Sequence, residues 1–425
     1  MKTLLMIFCL AICILAAYQF EPEKIVYSRS WSFADPLLAI LALVCILQLG
    51  TGRWRIDQCA AIQLASVAIL GVTALVNSAW NNGTLLNSAR MACASALLYI
   101  TMRNITGDLR DLRRFSGLCL MTGLVVYAIS IPKFLTTWSA DFTNYFFVFG
   151  FENLNDFGFL FVMVFCASAP FWLRDRNIIR GFFAAALLAS GALISLSRSA
   201  WTTLGIAALI CASVRDVKSK RARIIRLLAV GAGFIAAAYV FSLMVARLPE
   251  AQQFGEKKLA GYGEDAVDTR LIDLTLTPFL EWLREPPSTW IFGDAVSDHH
   301  TFFANAIWST GIFGLAAGLA LYISMARTAI HAWRLRSNSL KEYKLAGACY
   351  AALVLVTFLD DSATNIRYHS QVVTYLFYAS AGAFAGFLRG AVSGRVVRRI
   401  AVAPGAANAV NPAHAYGSAR VLDNC

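Results

Sequence analysis

Apolar runs close to membrane-spanning length recur twelve times along this 425-residue chain, and that recurrence constrains its fold more than any other feature. They lie near 3–18, 34–50, 59–77, 86–102, 115–135, 155–173, 181–197, 199–214, 227–246, 302–326, 345–360 and 369–388. A helix needs about 20 mainly apolar residues to cross the hydrocarbon layer. The chain is 58% apolar and 15% charged, against about 45–50% and about 25% in soluble domains. One soluble core cannot hide that excess, because such cores stop growing near roughly 250–300 residues. A soluble enzyme, a disordered chain and a coiled coil are thereby excluded. The expected fold is all-α: a polytopic membrane protein with about 12 transmembrane helices and one large outer loop carrying short helices.

The net charge of +12 suggests a nucleic-acid partner until it is sorted by position. With the N-terminus placed in the cytoplasm, the inner segments and the tail hold 26 of the 37 Lys and Arg but only 7 of the 25 Asp and Glu. That is the positive-inside pattern, so membrane topology accounts for the charge and no nucleic acid is needed. Both termini are then inside. Residues 1–18 have two readings, a cleavable signal with Lys2 as its charged region or an anchor helix; no clean A-x-A site follows, which favours the anchor. Nine of the ten cysteines sit in or beside apolar runs, Cys425 is terminal and no CxxC pair occurs, so they read as small hydrophobes.

Four regions follow. Residues 1–246 form an N-terminal transmembrane bundle of about nine helices. Residues 247–301 form the large outer loop, 302–390 carry about three more transmembrane helices, and 391–425, rich in Ala, Gly, Asn and Pro, read as a disordered tail. No convincing repeat relates the halves. In the large loop, Asp268 is placed to cap a helix with Leu271, Leu274, Phe279 and Leu283 on one face; Pro278 would split it, and Pro286 and Pro287 would stop it. A second outer loop, 136–154, has aromatics and no Lys or Arg.

Polar residues at membrane boundaries are the candidates for chemistry. Arg198 sits in Ser197-Arg198-Ser199, in the outer turn between the seventh and eighth runs. A guanidinium there is costly unless it is paired or faces water; the alternative is snorkelling to lipid headgroups. Arg270 either serves a site or only pairs with Asp268 or Asp273. His299 and His300 precede the tenth run, and Asp360, Asp361, Arg367 and His369 form a second outer cluster. Adjacent histidines point about 100° apart on a helix, and no H-x3-H or H-E-x-x-H spacing exists, so proton transfer suits them better than a metal. No Walker loop, GxGxxG or GxSxG occurs, and nothing in the short inner loops would bind a nucleotide.

Three patches, in order, resemble the O-antigen polymerase and O-antigen ligase family of bacterial membrane glycosyltransferases. The first is Phe151-Glu152-Asn153-Leu154-Asn155-Asp156-Phe157-Gly158, similar to an N-x-N patch at the outer start of a span. The second, Ser195-Leu196-Ser197-Arg198-Ser199-Ala200, is similar to an S-x-S-R-[GS]-A turn. The third runs from Asp268-Thr269-Arg270 through Pro286, Pro287 and Gly293 to His300, with Gly311 and Gly314 eleven and fourteen positions beyond. Thr301 and Ala304 depart from the family's usual Asn and Leu. The resemblance covers about residues 150–325.

The resemblance implies a lipid-dependent glycosyltransferase of the bacterial inner membrane, active on its periplasmic face and independent of metal, cofactor and ATP. Its partners would be an undecaprenyl-diphosphate-linked glycan and the bilayer, with a chain-length regulator and a flippase acting alongside. Arg198, Arg270 and His300 would be catalytic. Asn153, Asn155, Ser197, His299 and Arg367 would bind substrate. Planar guanidinium forks suit a diphosphate whose charge grows as it leaves. Three activities remain open: polymerisation of lipid-linked repeat units into exopolysaccharide or O-antigen, ligation of finished glycan to lipid A-core, and transport of a polysaccharide or solute. A scaffold role is a fourth. Repeat halves and polar residues deep within spans would mark a carrier.

Overall fold

A computed structural model describes residues 2–16, 32–77, 83–136, 154–173, 178–195, 197–212, 220–246, 276–294, 301–334, 341–364 and 370–390. The described residues are all-helical, in fourteen helices with no strands. They are α1 (Lys2–Leu15), α2 (Ala34–Gly50), α3 (Gln58–Val76), α4 (Gly83–Ile105), α5 (Leu109–Thr136), α6 (Leu154–Trp172) and α7 (Ile178–Ile194). Then follow α8 (Arg198–Ala212), α9 (Lys220–Val245), α10 (Thr277–Trp282), α11 (Pro287–Phe292), α12 (Phe302–Trp333), α13 (Lys341–Thr364) and α14 (Gln371–Gly390). The described residues of each of the twelve apolar runs are helical, and among them five helices, within α3, α5, α12, α13 and α14, are long and apolar enough to cross a membrane. Large apolar side chains face outward on several helices, among them Leu43 and Ile46 of α2, Leu75 of α3 and Ile235 and Leu243 of α9. Outward apolar faces on apolar helices of this length are those of a membrane protein.

The bundle is arranged around α14, of whose span 94% is buried, against 28% for α3. Small residues make this possible. A Cβ on Gly382 would lie 2.5 Å from the Tyr99 carbonyl oxygen, and one on Gly386 would lie 2.2 Å from that of Arg103. Gly382 and Gly386 thus form a G-x-x-x-G face on which α4 rests backbone to backbone, as helices do where lipid supplies no hydrophobic drive. α14 also packs on α1, α5, α6, α12 and α13. Eight of the nine described cysteines are buried as free thiols, which agrees with their reading as small hydrophobes.

The end of α4 carries a buried charge network. Asp57 caps α3 by accepting from the Ala60 amide at 2.9 Å, and it pairs with Arg103. It also accepts from the Tyr99 hydroxyl at 3.1 Å, while Arg103 Nη1 donates to the Arg55 carbonyl at 2.8 Å. Arg103 is only 6% exposed, so the two charges depend on each other.

One expectation is corrected. The run expected as one span over 302–326 is part of a helix that folds back on itself. Gly311 has φ 66° and ψ −162°, a non-helical break within α12. The Phe302 ring meets Tyr322 at 5.9 Å and lies where a Cβ on Gly318 would be. A straight helix would hold those positions roughly 24–30 Å apart at 1.5 Å per residue. The short arm 302–310 therefore runs back along the long arm 312–333, and its start lies roughly 10–16 Å from the turn. The loop prolines open helices, and the stretch 268–275, where a helix capped by Asp268 is expected, lies outside the described residues. Pro278 stands in the first turn of α10 and Pro287 begins α11, where a missing N–H costs nothing.

Candidate functional site

The turn between α7 and α8 is built by its serines. Ser195 Oγ donates to the Ala192 carbonyl at 2.6 Å and accepts from the Ser197 amide at 3.2 Å. Ser197 Oγ accepts from the Ala200 amide at 3.4 Å, which makes Ser197 the N-cap of α8. It also shares a hydrogen bond with Ser199 Oγ at 3.0 Å, and Ser197 is buried. Trp201 Nε1 donates to the Ala192 carbonyl at 3.1 Å and closes the turn from the other side. Arg198 is the first residue of α8.

This turn rests on the start of α6. A Cβ on Gly158 would lie 2.2 Å from Ser195 Oγ and 2.8 Å from the Ala200 Cβ. Only a glycine lets the two backbones approach so closely. The first and second sequence patches, some forty residues apart, thereby form one contact. Asn155 is the second residue of α6, and Asp156 in its first turn is buried. Asn153 lies outside the described residues.

The glycines of the third patch interlock. Gly293 has φ 70°, and a Cβ on it would meet the Ser309–Thr310 peptide at 2.5 Å. A Cβ on Gly311 would meet the Ile291 carbonyl oxygen at 2.3 Å. α11 thus lies directly on the fold-back turn of α12. The Asp294 amide donates to the Trp308 carbonyl at 2.8 Å. Thr73 Oγ1 donates to the Phe292 carbonyl at 2.9 Å, and Asn77 Nδ2 to that of Gly293 at 3.0 Å. Thr301, the residue after His300, is fully buried and caps the short arm by accepting from the Ala304 amide at 3.4 Å. Arg270, His299, His300, Arg367 and His369 lie outside the described residues.

α13 is the wall shared by these parts, since it packs against α6, α8 and α12. Thr357 Oγ1 of α13 contacts Met163 Sδ of α6 at 3.7 Å, and Phe358 packs edge-on against Phe303 and Tyr322 of α12. Beyond them, Asp360 and Asp361 are almost fully buried, and Asp361 accepts from the Tyr322 hydroxyl. The element that begins at Arg198 and the arm that begins after His300 are thus both held on one helix, whose end carries two carboxyl groups.

Several polar residues inside apolar runs were not singled out from sequence. Arg90 of α4 pairs with Asp35 of α2 at 3.1 Å and donates to Asn87 at 2.7 Å. Asp35 also accepts from the Ser32 amide at 2.6 Å, and Gln371 of α14 donates to Asn87 at 3.2 Å. The signal was present, because an arginine inside the run 86–102 is itself a mark of function or pairing. A cavity of about 210 Å³ opens between α3, α4, α12 and α14, with Gln63, Ser95, Asn305 and Phe302 in its wall. No family model matches the chain, and no curated protein matches it.

Proposed function

We propose that the protein is a membrane glycosyltransferase that polymerises undecaprenyl-diphosphate-linked repeat units into exopolysaccharide or O-antigen on the periplasmic face of the bacterial inner membrane. The observation that carries this reading is the contact of Gly158 with Ser195 and Ala200, which joins two of the three family-like patches around the first residue of α8. The interlock of Gly293 with Gly311 gives the glycines of the third patch a common physical purpose.

In this reaction the acceptor hydroxyl oxygen attacks the anomeric carbon of the donor. The glycosidic bond to phosphate breaks, and the diphosphate departs with the electron pair. Arg198 and Arg270 hold the phosphate oxygens where that charge develops, and His300 takes the proton of the hydroxyl. Asn153, Asn155, His299 and Arg367 bind the sugars and phosphates around them, while Ser197, buried and capping α8, shapes the turn at which Arg198 begins the helix. The donor is already activated, so no nucleotide is consumed.

The test uses purified protein in detergent with lipid-linked oligosaccharide and no nucleotide. Wild-type protein lengthens the glycan; Arg198→Ala abolishes extension while its membrane abundance stays near wild type. Arg198→Lys restores only part, since a point charge does not replace a planar fork. Extension by Arg198→Ala at the wild-type rate refutes the diphosphate clamp. In a deletion strain, single units left on acceptor support polymerisation, whereas long chains stranded on the carrier support ligation to lipid A-core. A carrier is the second reading, favoured by the half-length arm 302–310 and by Arg90, Asp35 and Gln63 within apolar helices. Inert lipid-linked substrate beside solute uptake into vesicles would establish it.

A further inference from the structure

We infer that the cavity between α3, α4, α12 and α14 is a binding site for one uncharged, hydroxyl-bearing ring of the size of a single sugar unit. The carrying observation is Gln63. Its side chain is 4% exposed and lines the cavity, yet neither its amide nitrogen nor its amide oxygen has a hydrogen-bond partner. Ser95, also in the lining, is 2% exposed, and its hydroxyl is likewise unpartnered. A buried amide left without partners costs about 1–3 kcal/mol, so such groups persist where something fills them.

The lining chooses the ligand. Among the described residues, no Asp, Glu, Lys, Arg or His stands in the wall, which leaves an anion or cation without a counter-charge there. The polar atoms are amides and hydroxyls, which both donate and accept, as sugar hydroxyls do. Phe302 and Tyr378 add aromatic rings, which suit the C–H groups of a sugar. At about 210 Å³ the cavity is smaller than the roughly 300–1,000 Å³ of pockets for drug-sized ligands, which suits one ring. The fold-back of α12 makes the space, because Phe302 and Asn305 of the short arm and Leu321 of the long arm all face it. The described lining comes from α3, α4, α12 and α14, and the assignment stands whether the chain polymerises glycan or carries solute.

The experiment titrates the full chain, in a zwitterionic detergent free of sugar, with methyl glucoside and with methyl glucuronide, read by saturation-transfer NMR. Concentrations run to roughly 100 mM, where a site of millimolar Kd saturates. The expected result is saturable binding of the glucoside and none of the glucuronide. Gln63→Leu weakens binding about tenfold and Ser95→Ala a few-fold, as loss of one buried partner does. Gln63→Asn, which keeps the amide on a shorter stem, gives an intermediate loss and serves if Gln63→Leu fails to accumulate. No saturable glucoside binding, equal binding of the glucuronide, or a Gln63→Leu variant with wild-type affinity overturns the assignment. Glucoside binding without glycan extension upholds the cavity and refutes the proposed reaction, so the two fail separately.

Discussion

Replacing Gly311 with alanine tests the fold-back directly. Its backbone, at φ 66° and ψ −162°, lies in a region open essentially only to glycine, and forcing another residue there costs about 1–3 kcal/mol. The new Cβ would also lie 2.3 Å from the Ile291 carbonyl oxygen and 2.8 Å from the Phe292 amide nitrogen, so α11 must move away. That movement breaks the bonds from Thr73 to Phe292, from Asn77 to Gly293 and from Asp294 to Trp308, at about 1 kcal/mol each. The total is about 4–6 kcal/mol, concentrated where α11 meets the turn. Thermal melting in detergent should show a large loss, and limited proteolysis should cut within 276–294 before the rest of the chain. Gly293→Ala should behave alike, and the double variant should cost less than the two losses added, since both break one contact. Gly205→Ala and Gly231→Ala are controls, because nothing lies within 4 Å of a Cβ at either. If Gly311→Ala melts with those controls, the fold-back turn is wrong.

Asp57→Asn keeps a cap for α3 but removes the charge that Arg103 needs; a melting experiment should show a loss of about 3–5 kcal/mol, and Asp57→Asn with Arg103→Met should recover much of it. Gly158→Val would push α6 off the Ser195–Ala200 turn. Because a shift near 1 Å at a catalytic group can cost about a hundredfold, glycan extension should fall by that order while the protein still accumulates in the membrane; wild-type extension would show that this contact positions nothing.

The sequence made the helices legible because apolar composition over twenty residues has few other outlets. The Ser195–Ala200 turn was legible too, since its arginine interrupts apolar chain. The fold-back was not. Residues 302–326 are apolar on both sides of Gly311, and a positive φ leaves no mark on hydropathy. The pairing of Arg103 with Asp57 was not legible either, because nothing in a linear count shows that α4 ends beside the cap of α3. Gln63 escaped notice for a related reason: one amide in an apolar run is weak until its lack of partners is seen. The meeting of Gly382 and Gly386 with α4 likewise depends on which faces meet, and composition alone does not say.

The central place of α14 bears on how the molecule is made. Of all the described helices it lies furthest along the chain, yet it is the most enclosed of the five long enough to cross a membrane. During translation the helices that will surround it leave the ribosome first and must wait, with a vacancy among them, for the piece that fills it. Until then the glycine-facing side of α4 is open to lipid, and quality-control proteases and chaperones have a long interval in which to meet an unfinished bundle.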